Sequence, residues 1–393
     1  MSTESEMVNA HDPVLQGSTP HVMLSAQHLA PFRVHTVFPA GTVDVRLPKV
    51  VGMSEGGSVR LTHPDCVLYR IPNALQHAGS SAIRIGGRAA FFTKLGRLAA
   101  NKEQFKDVDL VGWNASVVVL RDPVRIIDVG SAFSLLGVHA SHWAHFLVQF
   151  LPKLLFAMPL IEAAGTLVIR SDCDGHIRSI IRACLPPQVQ IVEADPRTDC
   201  VRFTELLHCT EVAYLCDHAD YTSITDIVIP ELTRSAIRDV MLSLGDANAN
   251  ANANAGDAAT NESRDLYVAF DGERGPVNGA EVQAYFEQKG YLVVRPHLLD
   301  IREKIRLFAN AERVVGVGSS GLMNAFFSRQ PLKMLAFINY ERAFDTLGAQ
   351  MTDQYPTLDS HLFVGTRVGP AGINSRYTIE MPALDQAART LGF

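Results

Sequence analysis

The chain has 393 residues, 47% of them apolar and 19% charged, with a formal charge of −6. That length accommodates two domains of ordinary size, and the balance is that of a globular protein. The negative charge and the lack of any basic block exclude a nucleic-acid surface. Six cysteines without a C-x-x-C pair exclude a disulfide framework and read as reduced thiols.

Met1–Asp12 is polar and has no apolar core of a signal peptide, so a cytoplasmic location is expected. Residues 1–32 read as a flexible tail rich in Ser, His and Pro. From Arg33 onward short β-rich runs are punctuated by Pro and Gly: Arg33–Phe38, Ser58–Leu61, Cys66–Ile71, Ala115–Leu120 and Val124–Ile127. They predict an antiparallel layer leading into a larger domain. The period then changes, with a helix over 142–160, a strand over 166–170, a helix over 177–184 and a strand over 189–192. Such alternation predicts a parallel α/β sheet. Phe146–Ile161 is the most apolar stretch, but it is short and contains Gln149, Pro152, Lys153 and Pro159, so it is not expected to span a bilayer. The region 33–245 is therefore read as β-rich segment plus first α/β domain.

Residues 246–263, dominated by repeated Ala-Asn, have too little apolar mass to pack and read as a low-complexity linker. A second α/β domain is expected over 264–393. Its strands are placed at 266–270, 291–294, 314–315 and 333–338, and its helices at 279–289 and 299–310. The two domains would enclose a cleft at the carboxyl ends of their strands.

Gly316-Val317-Gly318-Ser319-Ser320-Gly321 follows an apolar run and leads into Leu322–Phe327. A strand, a glycine turn and a helix start form a backbone cradle for phosphate. The spacing also satisfies the G-x-G-x-x-G of dinucleotide folds, which would make the protein an NAD-linked oxidoreductase. Its position opposes that reading: few βα units can follow, and the next strand ends at Asn339 with no acid to grip a ribose. His142, His145, Gln149 and Lys153 form one polar stripe on the helix over 142–160, as a lining for the cleft. His139, His142 and His145 have metal-capable spacing but lack a fourth ligand, so no metal is expected. Asn278-x-x-Glu281 has capping-box spacing, and Arg274 just before it is a candidate for a diphosphate. Glu303 sits among Arg302, Lys304 and Arg306 on a charged helix face. Cys173, His176, His208, Cys209, Cys216 and His218 lack regular ligand spacing and are read as structural.

In this order the segments His145–Leu154, Arg274–Glu281 and Gly316–Phe327 resemble the family-61 glycosyltransferases, over about residues 139–345. The resemblance implies two Rossmann-like domains of GT-B type and an inverting, metal-independent transfer. It further implies no cofactor beyond a nucleotide-sugar co-substrate, a glycan acceptor, and a role in bacterial surface polysaccharide such as capsule or lipopolysaccharide. Residues 33–245 become the acceptor side and 264–393 the nucleotide-sugar side. Peripheral association with an assembly complex is compatible with this reading. His145 becomes the catalytic base. Ser319, Ser320, Gly321 and Arg274 would hold the diphosphate, with Gly318, Asn324 and Asn278 supporting and His142, Gln149, Lys153 and Glu303 lining the cleft. Gly318 stands where the family has a histidine and Gln149 where it has an acid. These departures leave room for a non-catalytic glycan-binding or scaffold protein on the same fold.

Overall fold

The computed structural model describes residues 17–46, 49–53, 58–91, 107–113, 116–213, 228–246, 264–272, 275–339, 358–370 and 375–393. Arg274, Cys216, His218 and nearly all of the expected linker lie outside the described residues. Ser18–Met23, read as part of a tail, is a strand paired with Val117–Arg121, because its alternating side chains bury His21 against that neighbour.

Beyond the first strands the elements that position the site are β1 (Cys66–His77), β2 (Arg125–Ser134), α1 (Trp143–Phe156), α2 (Met158–Ala164), β3 (Thr166–Arg170), α3 (Gly175–Cys184), β4 (Gln190–Ala194), β5 (Asp199–Cys209) and α4 (Glu231–Asp246). They are followed by β6 (Asp265–Val268), α5 (Gly279–Gln288), β7 (Leu292–Val294), α6 (Ile301–Asn310), β8 (Arg313–Val317), β9 (Leu332–Asn339), β10 (Leu358–Val368), β11 (Arg376–Thr378) and α7 (Met381–Leu391).

The first sheet has 11 strands. β4, β3, β2 and β5 are parallel neighbours in that order, and β5 then pairs antiparallel with β1, Cys209 opposite Leu68. The expected antiparallel layer and first α/β unit are thus one continuous sheet with β5 as its seam. The second sheet runs β7-β6-β8-β9-β10-β11, parallel up to the final antiparallel pair. Lys49–Val50 pairs with β10, so the N-terminal region also reaches this sheet.

Side-chain alternation along the strands builds the layers. Leu167 and Ile169 of β3, Leu266 and Val268 of β6, and Met334 and Ala336 of β9 all join one apolar cluster with Leu147, Ile177, Met241, Phe308 and Met323. The helices α1, α3, α4 and α6 therefore form a middle layer shared by both sheets. Tyr267, Val315 and Phe337 point the other way, onto Phe286 of α5 and Leu384 of α7.

The single helix expected over 142–160 is broken twice. Leu151 N–H bonds the Phe146 carbonyl five residues back, a π-turn over Phe146–Phe150. Pro152 has no N–H for the carbonyl of Val148 and its ring needs room there, which accounts for the wider turn. At Ala157 the chain bends by 64° and restarts with Pro159 in the first turn of α2. Among the described residues no single helix is long and apolar enough to cross a membrane.

From β6 the chain crosses through α5 to β7 on one side, then returns through α6 to β8 on the other. β6 and β8 are therefore neighbours whose connections diverge, and the crevice beyond their carboxyl ends is where ligands bind in such sheets.

Candidate functional site

A cavity of about 280 Å³ occupies that crevice. One wall is Val268–Gly272 after β6, another is Pro296 and His297 after β7, and the third is Ser319, Ser320 and Gly321 after β8. Trp143, Asp174 and His176 line it from the first half of the chain, and Lys304 and Asn324 complete the lining.

The glycine turn does not have the expected backbone. Gly321 has φ −63, and Leu322–Phe327 is a 3-10 helix rather than an α-helix. The turn is closed by N–H groups of Leu322 and Met323 on the carbonyls of Ser319 and Ser320, and by Gly318 N–H on the Phe337 carbonyl at 2.8 Å. Among the described residues no backbone carbonyl takes the N–H of Ser319, Ser320 or Gly321. Asn324, fully buried, braces the turn: its amide donates to the Gly321 carbonyl at 2.7 Å and accepts from Trp143 Nε1–H at 3.2 Å. Gly318 supports the turn from below and is not among the cavity-lining residues.

Lys304, read from the sequence as part of a charged face, and His176, read as structural, both line the cavity. Lys304 Nζ lies 3.1 Å from His176 Nδ1 and 4.4 Å from the centre of the Trp143 ring. His176 Nε2 lies 2.7 Å from the Leu299 carbonyl, so that nitrogen carries the proton and Nδ1 accepts from the lysine. Burial pulls Lys304 down to about 8, with Asp174 and Asp300 partly offsetting it. Glu303, one residue earlier, is exposed and outside the cavity. The phase of α6 turns Ile301, Lys304, Ile305 and Phe308 inward, so Lys304 takes the place expected of Glu303. At the mouth Asp271 is held by Arg295 at 3.3 Å, with His297 Nε2 at 3.8 Å.

Asn278 caps nothing with its side chain, contrary to the capping-box expectation. Its amide instead pairs with both backbone groups of Ile379, donating at 2.9 Å and accepting at 3.0 Å. It ties α5 to the segment after β11 and does not line the cavity.

The polar stripe lies on the other side of Trp143. His142 and His139 line a separate cavity of about 330 Å³ with Ser141 and Arg170. His145 stacks near His139 with ring centres 4.5 Å apart, and its Nδ1 is 2.7 Å from Gln149 Oε1. An amide oxygen only accepts, so Nδ1 is the donor in this bond. Lys153 is buried, with Nζ 2.8 Å from Glu211 Oε1, and is not among the residues lining either of these two cavities. Among the described residues no group of three or more His, Cys, Asp or Glu has metal-binding geometry.

Fold and crevice thus define an α/β protein with a cavity at a topological switch point, lined by backbone N–H groups that no carbonyl takes among the described residues and by a buried lysine. The family model Glycosyltransferase 61 matches residues 143–335, from Trp143 of the cavity wall to Leu335 of β9. The match spans just under half of the chain and supports a family-61 glycosyltransferase. No curated protein matches it.

Proposed function

We propose that this protein is an inverting, metal-independent glycosyltransferase of GT-B type. It moves a sugar from a nucleotide diphosphate sugar to a glycan acceptor, in the cytoplasmic assembly of bacterial surface polysaccharide. The observation that carries the donor reading is the cavity between β6 and β8: Ser319, Ser320 and Gly321, whose N–H groups no backbone carbonyl takes among the described residues, line a space that both halves of the chain enclose. Backbone donors preset in this way suit phosphate oxygens. Arg274 would add a second cation from outside the described residues.

The reaction is an in-line displacement. The acceptor hydroxyl oxygen bonds the anomeric carbon, the bond from that carbon to the diphosphate breaks, and its electron pair leaves with the diphosphate. The hydroxyl proton goes to a base. His145 is the first candidate, because Gln149 orients its ring through Nδ1 and the residue matches the histidine of the family's first motif. A second reading is favoured by position: Asp271 lines the donor cavity and His145 does not.

The two are separated by turnover. A nucleotide-sugar hydrolysis screen first identifies the donor, and then His145→Ala and Asp271→Asn are compared on it. Loss of the base lowers kcat on the order of 10²–10⁴-fold with donor affinity little changed. If His145→Ala keeps its turnover and loses stability, His145 is structural and the base is Asp271. Thermal stabilisation by UDP or GDP without turnover of any nucleotide sugar would make the protein a binding module, and stabilisation by NAD alone would make it an oxidoreductase.

A further inference from the structure

Two lysines lie buried among the described residues, and they are kept in opposite ways. Lys153 has Glu211 at 2.8 Å. Lys304, 3% exposed, makes no ion pair among the described residues. Its close neighbours are the neutral nitrogen His176 Nδ1 and the face of Trp143, which hold an N–H without cancelling a charge. The nearest carboxylates are engaged elsewhere: Asp174 accepts from Ile177 N–H to cap α3, and Asp300 accepts from Arg302 N–H to cap α6. Asp271 is at the cavity mouth with Arg295 and His297. A buried ammonium without a paired carboxylate is costly, and this one lines the same cavity as Ser319, Ser320 and Gly321.

We infer that Lys304, aimed by His176 and Trp143, is the counter-charge for the diphosphate of the bound nucleotide and stabilises it as it departs. The inference rests on the transferase reading above. When the anomeric carbon–oxygen bond breaks, the electron pair stays on the diphosphate oxygen. Lys304 keeps its proton and pairs with that new charge, while the acceptor's proton goes to the base.

The chemistry has a pH signature. Without ligand, burial holds Lys304 at about 8, and a neighbouring phosphate raises it. Diphosphate affinity is then full below that pH and falls as pH rises through it, by up to about tenfold per unit.

Isothermal titration of the full chain with UDP, GDP and inorganic pyrophosphate between pH 7 and 9.5 tests this, on the wild type, Lys304→Met and Lys304→Arg. The Met variant should bind roughly 30-fold or more weakly and lose the alkaline fall, while the Arg variant keeps part of the affinity and binds independently of pH in this range. The unliganded Met variant should melt at the wild-type temperature or above, since it removes an unpaired buried charge. A Met variant that melts lower yet binds as the wild type does would make Lys304 a structural contact, overturning the inference and leaving the transferase reading standing. A wild type that binds none of the three probes would overturn the diphosphate reading itself and this inference with it.

Discussion

Gly316 and Gly321 are held to glycine by space and not by backbone angle. A Cβ on Gly316 would stand 2.7 Å from the Val268 carbonyl oxygen and 3.0 Å from Val268 Cβ, at the point where β8 passes β6. Backbone cannot yield there, so Gly316→Ala should lower unfolding free energy by about 1–3 kcal/mol, read as a fall in the urea midpoint. On Gly321 a Cβ would lie 3.2 Å from Val268 Cγ1, a side-chain atom able to shift. With φ at −63 a β-branched residue is not strained, so Gly321→Val should fold, yet crowd the cavity wall and abolish UDP and GDP binding. Unchanged titrations in the folded variant would reduce the segment to a tight turn. The glycine loop was legible in the sequence because spacing and flanking apolar runs identify it without tertiary knowledge. Lys304 was not, although a signal exists: it interrupts the inward stripe of Ile301, Ile305 and Phe308, where a lysine is costly. Read as one charge among four on α6, it looked solvated.

α1 carries the conflict between local rule and site most clearly. Apolar periodicity predicts one straight helix, and Pro152 and Pro159 divide it into a π-turn, a short α segment and a bent continuation. Lys153 and Gln149 nevertheless stay together: both donate to Glu211, which follows β5, and Gln149 is bonded in turn to His145. Lys153→Met should cost about 3–5 kcal/mol, because Glu211 is then buried and uncompensated. The double variant Lys153→Met/Glu211→Gln should recover most of that loss, since the remaining amide is neutral; denaturant midpoints of both variants decide it. Equal losses in single and double variants would mean that packing, not charge, governs the site. Most helices and parallel strands from Thr166 to Asn339 were legible through alternation of period. β5 is missing from the expected elements, although its pattern, Val201 and Phe203 buried and Arg202 and Thr204 exposed, is that of an ordinary strand. β10, β11 and α7 lie past the last motif and complete the second sheet and its outer helix layer.

At the scale of the whole molecule, the two sheets share their middle layer. Leu266, Val268, Val314 and Met334 of the second sheet meet the same apolar cluster as Leu167, Ile169 and Leu207 of the first, through α1, α3, α4 and α6. Lys49–Val50 adds a backbone link to β10, and the Trp143–Asn324 and His176–Leu299 bonds add polar links at the cavity. A division near residue 250, suggested by the Ala-Asn tract, is therefore a division of chain and not of core. The tract itself has no apolar mass to contribute, so deleting residues 247–258, or cutting the chain within them, should shift the melting temperature by no more than a few degrees. The severed pieces should stay associated, because the surface between them is continuous interior. Residues 264–393 produced alone should behave differently: the inward faces of β6, β8 and β9 lose the cover of α1, α3 and α4, and the fragment should aggregate or remain unfolded. Calorimetry of the intact chain should show one cooperative transition. Two well-separated transitions, or a soluble fragment 264–393 with native near-ultraviolet dichroism, would show that each half closes its own core and that the shared layer is only an interface.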